Sequence, residues 1–355
     1  MNQDWKQFLT EQKAQFDENG HIKTFGLPEI EHFMVKHGPI ITDLSNETLI
    51  KVSGEDAFSF LQGQFSNDLK EVNSSQAQLS SYCDPQGKVL ALMTIFKVDE
   101  SYYLSFDESL RDIILKRLTM FKMMSKVELK EVSDLFIQIG YAGEFADLDL
   151  QRDFTVKIKE IHQIQSIDSQ NIQNVTVIKV PGPYHNYRIF GDLEPIKSVW
   201  KTLKSNGEAI GKLDWSLLNI VSGQPIINDK TTGKFIAQFI NLDKLNAINF
   251  KKGCYPGQEI IARMHYRGKA TKRMLRMHSP VLQNFQTGDE IKLQDATERS
   301  YKFTIISAAP EIYEGTIALA ISTVKALESV KGDLKNENGD LFTIEPMPYD
   351  LTEEE

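Results

Sequence analysis

Cysteine is nearly absent from this chain, with only Cys83 and Cys254 among 355 residues, far apart in sequence. Two thiols build no disulfide framework and are too few for an all-cysteine zinc or iron–sulfur site. Free thiols in a chain of this length are the usage of a reducing compartment. Long apolar runs are also missing, and none approaches the roughly 20 residues that span a bilayer. The first residues carry acidic and amide side chains with no basic start and apolar stretch, so no secretion leader is read and a cytoplasmic location is expected. Positive charge is in deficit: 40 Lys and Arg against 49 Asp and Glu leave a net charge of -9. That excludes polyanion binding by bulk electrostatics but allows a local basic patch. HExxH, CxxC and nucleophile-elbow patterns do not occur, and neither Gly63 nor Gly87 sits in a full phosphate-binding motif. His21, His32 and His37 have no metal-ligand spacing around them.

What is present suits a multidomain globular chain. Apolar content is 41% and charged content 25%, ordinary for a globular protein. The length exceeds what one hydrophobic core usually serves, so two or three domains are expected. Trp5, Phe8, Leu9 and Phe16 fall at roughly helical spacing over 4–16, and the body begins near Ile40. Strands are expected over 48–52 and 76–81 and over Val89–Val98, which is apolar and β-branched enough to be largely buried. A helix over 108–121 carries a basic face of Arg111, Lys116 and Arg117. Strands at 135–140, Val175–Val180 and 187–190, with a helix over 194–206, fit a small split α/β domain. Residues 164–174, rich in Gln, Ser and Asn, read as a hairpin connection, while 147–154 is ambiguous. A helix around Trp215 follows. Beyond Met274 five or six short strands with Gly and Asp turns predict a small barrel.

The chemistry concentrates in Lys252-Gly-Cys-Tyr-Pro-Gly-Gln-Glu259. Two glycines and a proline shape this stretch as a loop rather than a helix, and the residues after it have room to open one. Cys254 is the candidate nucleophile. Lys251, Lys252 or the following helix could lower its pKa, yet a lone cysteine in a turn also contacts a ligand, touches a metal cluster transiently or simply packs. Glu259 could take two parallel donors of a planar heterocycle, or cap the helix. The run Arg263, His265, Arg267, Lys269, Lys272, Arg273, Arg276 is the most basic part of the chain. It is either an anion site or a solvated connector.

The loop resembles the signature of the YgfZ-type folate-binding proteins, within the superfamily of the glycine-cleavage aminomethyltransferase (T-protein). Other stretches resemble the same family in the same order: Val52-Ser-Gly54-Glu-Asp-Ala, Phe60-Leu-Gln-Gly63-Gln, Asn67-Asp68, Tyr82-Cys83-Asp-Pro-Gln-Gly87-Lys, Gly223-Gln-Pro225, Gly233-Lys-Phe235-Ile-Ala-Gln238 and Ile344-Glu-Pro-Met-Pro-Tyr349. The resemblance implies an α+β chain: a T-protein-like folate-binding core (40–126 with 208–273), an inserted ferredoxin-like domain (127–207) and a C-terminal β-barrel (274–349). An N-terminal helical extension (1–39) and an acidic tail (350–355) flank them. It implies a tetrahydrofolate cofactor and a role in maintaining iron–sulfur proteins, among them radical tRNA-modifying enzymes, with tRNA contact as a further possibility and no membrane partner. Trp215, Lys252, Tyr255, Gln258, Glu259, Arg263 and Arg267 are the expected folate-binding residues, and Cys254 the expected catalytic one. Two departures stand out. Ala91 and Leu92 occupy the place of the aspartate that folate-dependent aminomethyl transfer needs, which counts against that reaction. Glu47 or Thr48 stands where such proteins carry a first tryptophan. An aminomethyltransferase or demethylase, and a scaffold for tRNA or a client protein, are the competing readings, and whether the chain turns over a substrate stays open.

Overall fold

The strand Ile137–Gly143 shows how the fold is built. Its odd-numbered residues Ile137, Ile139 and Tyr141 join a large apolar cluster with Leu150, Val199, Trp200 and Trp5. Alternation along the strand sends Gln138 and Gly140 to the other face. The computed structural model describes residues 1–170, 172–311 and 314–351. The last four residues of the expected acidic tail lie outside them.

The chain divides into two compact units. The first comprises Met1–Leu61, Leu69–Gln78 and Met93–Leu218, and the second Gln62–Asp68, Leu79–Leu92 and Asn219–Glu355. In the first unit a six-stranded sheet runs in the order Ile164–Ile167, Val175–Val180, His185–Gly191, Ile137–Gly143, Ile40–Asp43, Glu208–Ala209. Neighbours are antiparallel except the last pair, which is parallel. The helices Gln3–Glu11, Ala146–Phe154 and Leu193–Lys204 supply buried residues to one side of it. Trp5 donates from Nε1 to the buried Asp43 carboxylate at 2.7 Å. The opposite face meets the antiparallel strands Glu47–Ser53 and Ser101–Asp107 through a second cluster of Leu49, Phe96, Tyr103, Ile178 and Phe190.

The second unit ends in a closed six-stranded barrel. Lys272–Ser279 pairs both Gly315–Thr323 and Leu341–Glu345, which closes it. Leu275, Phe303, Ile305 and Phe342 fill the interior.

Three local expectations change. The N-terminal helix stops at Glu11, and Phe16 lies instead in a short strand opposite Ile22. The ambiguous segment is the helix Ala146–Phe154. Residues 164–167 form an edge strand, Ile164–Ile167, rather than loop. Polar composition hid it because its glutamines serve neighbouring backbone: Gln165 Oε1 accepts from Lys157 N at 2.8 Å and Gln163 Oε1 from Lys159 N at 3.0 Å.

Candidate functional site

The loop 252–259 lies in the second unit and divides into an anchored part and an open part. Lys252 is buried, and its ammonium donates to three carbonyls, Gln62 O at 2.7 Å, Phe65 O at 2.6 Å and Asn67 O at 2.9 Å. Three donors on an ammonium meet three acceptors, so the charge is solvated by backbone. Burial pushes its pKa down to about 8, with the Asp68 charge acting the other way. Tyr255 is buried with its ring 5.3 Å from the Lys252 ammonium, and burial raises its phenol pKa. Gly257 adopts φ +83°, and a Cβ there would stand 2.5 Å from Asp84 O and 2.6 Å from Gly87 Cα. The two glycine turns of the sequence, around Gly87 and Gly257, are thus packed against each other, which explains why both are glycine. Between these anchors Gly253 has nothing within 4 Å of its notional Cβ, and Cys254 is exposed. Cys83 is buried, and burial pushes its thiol up to about 12, so it stays protonated.

Gly257 caps the helix Gln258–Arg267. Gln258 donates to Lys252 O at 3.3 Å and so ties the helix start to the loop. Glu259, Arg263 and Arg267 are exposed and four residues apart, which puts them in one stripe. On the same helix His265 stacks on Phe250 at 3.7 Å between ring centroids, and Tyr266 stands edge-on to both.

Trp215 lies in the first unit, where it packs on Gly140: a Cβ there would fall 2.4 Å from the indole. Gly140 pairs with Arg188 in the sheet, and paired residues share a face. Arg188 forms an ion pair with Glu47, both only slightly exposed. Ser105 donates to Glu47 Oε2 at 2.8 Å, and Gln138 Nε2 donates to Glu47 O at 3.0 Å. Indole, carboxylate, guanidinium and amide therefore line one part of the inter-sheet space. Sequence reasoning singled out Trp215 and Glu47 as positions of interest but missed Ser105, Gln138 and Arg188. Alternation within 137–143 and 185–191 was the available signal, because it places a polar residue on each strand's second face.

Ala91, at the place expected of the aminomethyl-transfer aspartate, is fully buried, and the strand Val89–Val98 carries no carboxylate. Among the described residues no group of three or more His, Cys, Asp or Glu side chains is placed to hold a metal ion, and no helix is long and apolar enough to cross a membrane.

The architecture and sequence are those of the glycine-cleavage T superfamily. Residues 7–213, more than half the chain, match the GCVT N-terminal domain family, and the chain belongs to it. It is similar to the tRNA-modifying protein YgfZ of Klebsiella pneumoniae, 26% identical over 308 residues that cover 87% of this chain and 92% of the relative. It is likewise similar to the tRNA-modifying protein YgfZ of Yersinia pestis, 27% identical over 316 residues, with 88% and 93% covered. Its fold is that of the glycine cleavage system aminomethyltransferase T of Bartonella henselae, with a TM-score of 0.77, 14% identity and 96% of each chain covered.

Proposed function

We propose that this chain is a tetrahydrofolate-binding accessory protein that supports assembly or repair of iron–sulfur proteins and, through radical tRNA-modifying clients, tRNA methylthiolation. The observation that carries the reading is Cys254, an exposed thiol on a loop fixed at both sides by Lys252 and Gly257. Thiolate is the donor that iron–sulfur clusters take, and one thiol holds no cluster alone. The loop therefore suits brief contact with a client. The likeness to proteins named as tRNA-modifying supports that class of client.

The residues of the first unit fit a reduced pterin. Adjacent N–H and amino donors on the ring match the Glu47 carboxylate, the ring carbonyl suits Arg188, and Trp215 offers an aromatic face. The second unit, taken by itself, also carries groups of the kind a folate takes: Glu259 is a carboxylate suited to a pterin edge, and Arg263 and Arg267 are cations suited to an anionic glutamate tail. Lys252, Tyr255 and Gln258 serve by holding the loop. Bound tetrahydrofolate supplies a one-carbon carrier and a reduced pterin, and the chain's own residues bind and orient it. The domain plan follows the same reading. Residues 127–207 are an inserted ferredoxin-like domain whose sheet is extended beyond Ile137–Gly143 by Ile40–Asp43 and then Glu208–Ala209. Residues 40–126 with 208–273 form the core, 274–349 the barrel, and 1–39 the N-terminal extension. A cytoplasmic location keeps both thiols reduced.

Two experiments test this. Titration of the purified protein with tetrahydrofolate should saturate, and no saturation by a folded sample removes the cofactor. In cells lacking the protein, wild type should restore iron–sulfur enzyme activity and Cys254→Ala should not. Full rescue by the variant denies the thiol its role. A second reading, a tRNA or client scaffold, has one observation in its favour: the Phe250, His265 and Tyr266 rings beside Arg263 and Arg267 form a basic stacking surface. Charge reversal at Arg263 and Arg267 should then weaken RNA association in a salt-dependent way.

A further inference from the structure

The helix Arg111–Lys122 packs on the first unit by one side only, through the fully buried Ile114 and Leu118. Ile113 and Met120 are seven residues apart and so share a face, with Lys116 and Arg117 between them. That face is outward: Ile113 is 51% exposed and Met120 62%. Directly beyond the helix Met123 is 82% exposed and Met124 96%. Surface apolar residues are ordinarily scattered singly, whereas these four follow one helix and its end.

The methionines project from a fixed turn, not a loose end. Met123 takes φ 44°, a backbone region that favours glycine, so the surrounding structure must hold it there. Lys122 Nζ donates to Val127 O at 2.9 Å, and Lys126 N donates to the Asp56 carboxylate at 2.8 Å. Gly54 leaves room for the same turn, since a Cβ there would stand 2.1 Å from Lys126 O. Charge is the second feature. Residues 111–126 carry five Lys and Arg and one Asp, in a chain of net charge -9. Arg111 pairs with Asp112 and Lys126 with Glu55, but these pairs are exposed and weak. Arg117 lies over the Phe121 ring at 5.2 Å. Lys116 is exposed and has no ion-pair partner among the described residues.

We propose that this ridge docks an acidic amphipathic helix of a partner protein. Apolar residues at helical spacing are what a second helix packs against. Ile113 and Met120 take its apolar stripe, Met123 and Met124 extend the contact, and Lys116 and Arg117 face carboxylates beside that stripe. Methionine is unbranched and polarizable, so it adapts to the shape of what covers it. Other anionic partners fit less well. Helices that lie in a lipid interface keep their cations off the apolar face, whereas Lys116 and Arg117 stand in the middle of this one. Phosphates of a nucleic acid would answer the cations and leave Ile113 and the methionines uncovered. The proposal rests neither on tetrahydrofolate binding nor on Cys254.

The test uses the full chain and three synthetic helices, followed by fluorescence anisotropy. One carries Leu at helical spacing with Glu beside it, one has Lys in place of each Glu, and one has Gln in place of each Leu. The first should bind saturably and the other two much more weakly. The pair Lys116→Glu, Arg117→Glu should weaken binding of the acidic helix about tenfold or more and favour the lysine helix instead. The pair Met120→Gln, Met124→Gln should weaken the acidic helix without creating a preference for the lysine one. All four positions are at the surface, so the variants should fold, and an unchanged unfolding midpoint checks this. Charge reversal at Arg263 and Arg267 should leave binding as it is. Absence of saturation by the acidic helix at millimolar concentration overturns the proposal. So does equal binding of the Gln helix, equal loss on reversal at Arg263 and Arg267, or no reversal of charge preference. Vesicles containing phosphatidylserine should not bind, and vesicle binding abolished by the same two pairs of substitutions would overturn the proposal in favour of a lipid surface.

Discussion

The loop around Lys252 and the cluster around Glu47 both keep charge out of water, by opposite means. Lys252 has no carboxylate partner among its three hydrogen bonds, and each acceptor is a backbone carbonyl from 62–67. Glu47 instead faces Arg188, with Ser105 and Gln138 completing the shell. A cation solvated by carbonyls loses everything when its side chain is removed, because the carbonyls cannot leave. An ion pair loses most when one partner goes and much less when both do. The first arrangement fixes backbone, and the second leaves side chains that a ligand can recruit.

Removing the cation should have the largest effect. Lys252→Met leaves three carbonyls without their donor and should lower stability by about 4 kcal/mol. Urea unfolding reads this directly, and a loss below about 1 kcal/mol would show that the loop is not anchored by its lysine. pH sharpens the same test. The folded pKa of Lys252 is lowered to about 8 from 10.5. Between those values the unfolded chain holds the extra proton, so this group makes stability rise with pH across the window. Lys252→Met should remove that rise.

The ion pair comes next. Glu47→Gln or Arg188→Met alone should cost about 3 kcal/mol, and the double Glu47→Leu, Arg188→Met markedly less than the sum of the single losses. Additive losses in the double-mutant cycle would mean the pair carries no coupling and would erase the contrast with Lys252. Glycine then separates the two halves of the loop. Gly257→Ala meets both a positive φ and a carbonyl at 2.5 Å, and should cost about 2 kcal/mol. Gly253→Ala meets open space and should cost well under about 1 kcal/mol. Equal losses at the two positions would contradict the division into anchored and open parts.

The same contrast explains what could be read in advance. The loop was legible because its residues are contiguous and glycine and proline mark it. The barrel was legible because short strands and turn residues alternate beyond Met274. Why Lys252 is a lysine was not, since its acceptors are main-chain oxygens 185 to 190 residues earlier and carbonyls leave no mark in sequence. The Glu47 cluster draws on residues 47, 105, 138, 188 and 215. Only strand register brings them together, and register is a tertiary property. Ile164–Ile167 was hidden by glutamines that serve nearby backbone rather than solvent.

The smallest effect on stability should come from Cys254, the residue on which the proposed function rests. Cys254 is exposed beside a glycine with open space around it, so Cys254→Ala removes no packed atoms. The change in unfolding free energy should stay within about 0.5 kcal/mol. That makes the substitution a clean instrument: loss of client enzyme activity with an unchanged unfolding curve assigns the defect to thiol chemistry. If Cys254→Ala unfolds as easily as Gly257→Ala, the thiol is part of the anchor, and its exposure ceases to argue for contact with a partner.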